Sequence, residues 1–140
     1  MFSKVKVFAM VALLAATTLM FSSCSKESQI TGKWRVVRAS SNDLNVSNDK
    51  GEIWTFKEKG DFSGYIGGVD LTGSWSVSGD ELTITMDDPL TYSGISWKAS
   101  GVFSIDELKS QEMTLSGNLV LKNSSYDNVK FKVSYDLEKR

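Results

Sequence analysis

The chain is 140 residues long and nearly neutral, with 16 Lys and Arg against 17 Asp and Glu. At 41% hydrophobic residues, with 11 Gly and one Pro, it has the make-up of a globular protein, and without a basic excess no nucleic-acid partner is expected. The absence of histidine excludes Ser-His-acid and Cys-His catalysis and removes the commonest zinc ligand, and a lone cysteine cannot form an internal disulfide.

The first predicted element is a targeting segment. Lys4 and Lys6 precede an apolar run over residues 7–20, broken only by Thr17 and Thr18, and small Ser22 and Ser23 stand before Cys24. The run is shorter than the ~18 residues of a membrane-spanning helix, and no basic cluster follows it. The stretch Leu19-Met20-Phe21-Ser22-Ser23-Cys24 resembles a bacterial lipoprotein signal with its lipobox. That resemblance implies cleavage after residue 23, a diacylglyceryl group on the Cys24 thiol and further acylation of the palmitate kind. Two or more chains anchor a protein stably. The expected location is then the cell envelope, lipid-anchored to the outer membrane, on its periplasmic or its surface side. An ordinary secretory signal with an incidental cysteine is the competing reading. Residues 24–29 are expected to be a short tether, with Lys26 and Glu27 hinting at a surface-export tag, and residues 30–140 one domain.

From residue 30 onward period-2 alternation dominates, as in strands with one buried and one wet face. Strands are expected at 30–39, 51–58, 61–67, 70–77, 80–87, 99–106, 111–122 and 126–138. Leu82, Ile84 and Met86 alternate with Glu81, Thr83 and Thr85, and Val129, Phe131, Val133, Tyr135 and Leu137 with Lys130, Lys132, Ser134, Asp136 and Glu138. Turn residues divide the segments at Lys59-Gly60-Asp61, Gly67-Gly68, Ser78-Gly79-Asp80 and Asn123-Ser124-Ser125. Short links favour an all-β, eight-stranded antiparallel up-and-down barrel, which has no open edges. A two-sheet sandwich is its competitor. A barrel of eight strands is filled by side chains or holds one small ligand.

Two stretches fall outside the alternation. The Asn- and Ser-rich loop at 40–50 carries Asp43 and Asp49, both expected in water. The link at 87–98 opens on Asp87-Asp88-Pro89, a solvated turn, and carries Tyr92 and Trp97, whose loop position offers stacking surface to a ligand or partner. Trp54 and Trp75 lie in strands, where aromatics are more often core than site; they complete the ligand-binding candidates. Gly64-Tyr65-Ile66-Gly67-Gly68 is a turn or bulge, since no helix follows to receive a phosphate. No metal site and no cofactor are expected.

Ile30-Thr31-Gly32-Lys33-Trp34-Arg35-Val36-Val37 resembles the opening strand of lipocalins, with its Gly-x-Trp signature. The resemblance continues through Trp54-Thr55-Phe56-Lys57-Glu58-Lys59-Gly60, Gly73-Ser74-Trp75-Ser76-Val77, Asp80-Glu81-Leu82-Thr83-Ile84, Phe103-Ser104-Ile105 and Met113-Thr114-Leu115. Together these are similar to the small lipocalin-like lipoproteins of Bacteroidetes. The resemblance implies that Trp34 closes the barrel base beneath a cation, Lys139 or Arg140. It implies a membrane-anchored binding protein, not an enzyme, taking a small apolar or amphipathic ligand in or at the mouth of its barrel. A filled-barrel accessory lipoprotein acting through protein-protein contacts is the alternative. Unlike full lipocalins, residues 30–140 are expected to carry neither a C-terminal helix nor a disulfide.

Overall fold

Inner and outer residues alternate along every long segment, so strand faces meet only in certain registers. The computed structural model describes residues 26–140; the signal segment and the lipidation at Cys24 lie outside them. The described residues form nine strands: β1 (Gly32–Ser40), β2 (Ile53–Phe56), β3 (Asp61–Ile66), β4 (Val69–Ser78), β5 (Glu81–Met86), β6 (Leu90–Tyr92), β7 (Ile95–Leu108), β8 (Glu112–Asn123) and β9 (Tyr126–Lys139). Neighbours in the chain pair antiparallel from β1 to β5 and from β6 to β9. Strand β9 returns to β1, with Trp34 opposite Lys139. Strand β5 reaches past β6 to β7, with Leu82 opposite Phe103. Eight strands thus close an antiparallel barrel, and the sandwich is excluded.

The eight expected strands form its wall. Short β6 pairs only with the start of β7. The link expected at 87–98 is therefore a hairpin in its second half. Tyr92 faces Ile95 across a two-residue turn, with Ser93 at φ 54° and Gly94 at φ 75°. Positive φ at both turn positions is the type I′ geometry that suits the twist of paired strands. Strands β7, β8 and β9 outrun their barrel partners. β5 meets β7 no further than Ser100, and β1 meets β9 no further than Ser134. The remainder, with β6 along its side, rises above the barrel rim as an arm.

The barrel interior is aromatic. Trp54 is fully buried, with the Tyr135 ring 4.8 Å away and the Phe62 ring 5.9 Å away edge-on. Phe56 packs on Phe62 at 5.1 Å and on the edge of Trp75 at 5.3 Å. A Cβ on Gly64 would sit 2.9 Å from Trp54 Cδ1, so glycine there makes room for the indole. At the base, residues 26–30 form a helical turn and bury Ile30. Trp34 Nε1 donates to the Ile30 carbonyl at 2.7 Å, and the Lys139 ammonium lies 5.3 Å from the Trp34 ring centre. Lys139 is thus the cation over the Gly-x-Trp tryptophan, and it also donates to the Gln29 carbonyl at 2.7 Å.

Candidate functional site at the barrel mouth

With the base closed over the core by Ile30 and Trp34, the apolar interior reaches the surface at the mouth. The loop between β1 and β2 folds across one side of it. Ser41 Oγ donates to the Lys132 carbonyl at 2.6 Å, and Asp43 accepts from the Lys132 N–H at 2.9 Å, which ties the loop to the edge of β9. Leu44 and Val46 turn down onto the core. A 3-10 turn, Ser47–Asp49, then brings Asp49 inside.

Asp49 is fully buried, which corrects its expected place in solvent. Its oxygens accept from the N–H groups of Gly67 at 2.8 Å and Gly68 at 2.9 Å and from the Tyr135 hydroxyl at 2.7 Å. Gly67 and Gly68 are the turn between β3 and β4, at φ 63° and 85°. Their N–H groups face outward from that hairpin, and a carboxylate is the acceptor that satisfies both at once. Burial, and next the bond to Asp49, push the Tyr135 hydroxyl well above its ordinary pKa. The loop, the β3–β4 hairpin and β9 are thereby locked into one rim.

Beside this lock, with Gly67 common to both, an apolar cavity of about 150 Å³ opens between the arm and the β3–β4 hairpin. Ile66, Leu71, Met86, Leu119, Leu121 and Phe131 are among its walls. Val69 and Tyr92 stand at its edge, 39% and 43% exposed. A cavity of this size and lining takes a group about as large as benzene.

The structure separates the four aromatic candidates. Tyr92 lines the cavity, its ring 5.5 Å from Phe131 and edge-on to it. Trp97 is not on a loop. It sits on β7, 4% exposed, in a satellite cluster with Ala99 and Leu121, and donates from Nε1 to the Tyr92 carbonyl at 3.0 Å. It packs beside the cavity, on the same face as Leu90, Ala99 and Leu121 of its wall. Trp54 lies deeper in the barrel, bonded to the Tyr65 carbonyl. Trp75 lies near the base, where it borders an open polar recess of about 660 Å³ beside Glu27, Glu58 and Lys59. Asp87 and Asp88 are exposed on a bend, as expected. Among the described residues no three His, Cys, Asp or Glu stand close enough together to hold a metal ion.

A family model described as a C-terminal lipocalin-like domain matches residues 15–118, well over half of the chain. The chain belongs to that family. No curated protein and no solved structure matches it. The match to the lipocalin-like domain ends within β8. Strand β9, which carries Phe131, Tyr135 and Lys139, lies beyond it, yet it closes the barrel, adds Phe131 to the cavity wall and gives Asp49 its side-chain donor, Tyr135.

Proposed function

We propose that this lipocalin-like protein is a non-catalytic binding protein that holds the apolar end of a small amphipathic ligand at its barrel mouth. The observation that carries this reading is the apolar cavity beneath Tyr92, open at the end of the barrel opposite the base that the described residues close. The interior below it is filled with aromatic rings, so only part of a ligand enters, and its polar remainder stays in water. The absence of histidine and the full engagement of Asp49 by three donors support the non-catalytic part. Anchoring through a lipid on Cys24 to the cell envelope rests on the lipobox alone. It would hold the domain by its base and leave the mouth pointing away from the membrane.

The packed interior also supports a second reading, an accessory protein that meets a protein partner with its exposed Val69, Tyr92 and Tyr126. Native mass spectrometry of the full chain purified from its own host separates the two. A bound mass of a few hundred daltons, lost in Leu119→Trp, is the expected result. A ligand-free chain carrying a stoichiometric protein partner would favour the second reading.

A further inference from the structure

The outward face of the arm carries chemistry that the mouth does not use. On β7 and β8, Lys98 stands directly opposite Lys122. On β9, Lys130 stands opposite Val120, one diagonal step from Lys122, and Lys132 follows two residues on. All four lysines are exposed. Directly paired residues share a face, so the ammonium groups rise from one patch of sheet. Like charges directly opposed across strands are destabilising. Lys98, Lys122, Lys130 and Lys132 form no ion pair among the described residues, nor do Lys33, Lys50, Lys57 and Lys59; what distinguishes the four is that they share one face of paired strands. Val120 lies in their midst, only 6% exposed although its neighbours Leu119 and Leu121 point to the opposite face. Lysine stems can cover such an aliphatic residue while their charged heads stay in water.

We propose that this face binds an acidic polysaccharide, one bearing carboxylate or sulfate groups. Around the lysines the face carries Ser96, Ser100 and Asn118, with half-buried Val102 opposite Asn118. It presents no aromatic or exposed aliphatic residue to insert into a lipid surface. It also lacks the Trp, Tyr and Arg anchors that dominate protein interfaces, from which Lys is depleted. A repeating anion of a hydrated chain, spaced along the sheet, matches four separate point charges and relieves the repulsion between Lys98 and Lys122.

The test is binding of the full chain to dextran sulfate and to neutral dextran over a range of salt. Wild type should bind only the sulfated polymer, with affinity falling as salt rises. The triple variant Lys98→Gln, Lys122→Gln, Lys130→Gln should bind about tenfold or more weakly, and its salt slope should fall by about one per lysine removed. The variant should melt no lower than wild type, since it loses a like-charge pair; should it fail to fold, Lys122→Gln alone is read instead. A control, Lys57→Gln with Lys59→Gln, removes two charges at the opposite end of the barrel. An equal loss in that control, binding to neutral dextran, or preference for phosphatidylglycerol vesicles over dextran sulfate would each overturn the proposal.

Discussion

Trp34 is held on several sides at once: by the Ile30 carbonyl at its nitrogen, by the Lys139 ammonium over its ring and by Trp54 opposite it on β2. Trp34→Ala opens a cavity that the surrounding sheet cannot collapse to fill. It should cost about 3–5 kcal/mol in urea unfolding, against about 0.5–1 kcal/mol for losing the cation in Lys139→Ala. A loss well below 1 kcal/mol for Trp34→Ala would contradict its role at the base. Tyr135 gives a pH-dependent counterpart. Its hydroxyl is held protonated by burial and by Asp49, so the folded state binds that proton more tightly than the unfolded chain. The stabilisation is complete below the ordinary tyrosine value of about 10 and declines as pH rises above it, by at most about 1.4 kcal/mol per unit. Tyr135→Phe should flatten this alkaline limb in urea midpoints measured from pH 9 upward. An unchanged limb would place the titration in another group.

At the scale of elements, the β6–β7 hairpin divides two aromatics that look alike in sequence. Trp97 is buried beside the cavity among Leu90, Ala99 and Leu121, and Trp97→Ala should lower stability by about 3 kcal/mol, with hydrogen exchange rising first in the arm. Tyr92 is partly in solvent. Tyr92→Ala should cost at most about 1 kcal/mol while weakening ligand binding. Equal stability losses would mean that the hairpin does not separate the two roles. The barrel strands were legible because each alternates over several residues, as from Leu82 to Met86 or Val129 to Leu137, and glycine turns part them. Strand β6 was not, because three residues offer one alternation. The Ser93-Gly94 turn, flanked by Leu90, Tyr92, Ile95 and Trp97, is the signal that marks it. Asp49 was illegible for another reason. An acid among Asn and Ser reads as solvated, and only the fold brings Gly67, Gly68 and Tyr135 around it from 18 to 86 residues away. The cavity is a long-range product too, drawing Leu44, Met86, Leu119 and Phe131 from four separate parts of the chain.

For the molecule as a whole, the two ends of the barrel differ in kind. The base is shut by Ile30, Trp34 and Lys139, and the middle is filled by Trp54 and its neighbours. The mouth keeps an apolar opening in a rim fixed by Asp49. Titration of the full chain with an uncharged apolar fluorophore, N-phenylnaphthylamine, reads binding at that opening. Its neutrality keeps it off the lysine face. Wild type should show saturable binding, and Leu119→Trp, which fills the cavity from β8, should weaken it by about tenfold or more, equivalent to about 1.4 kcal/mol. Undiminished binding in Leu119→Trp, with the variant folded, would contradict ligand binding at the mouth.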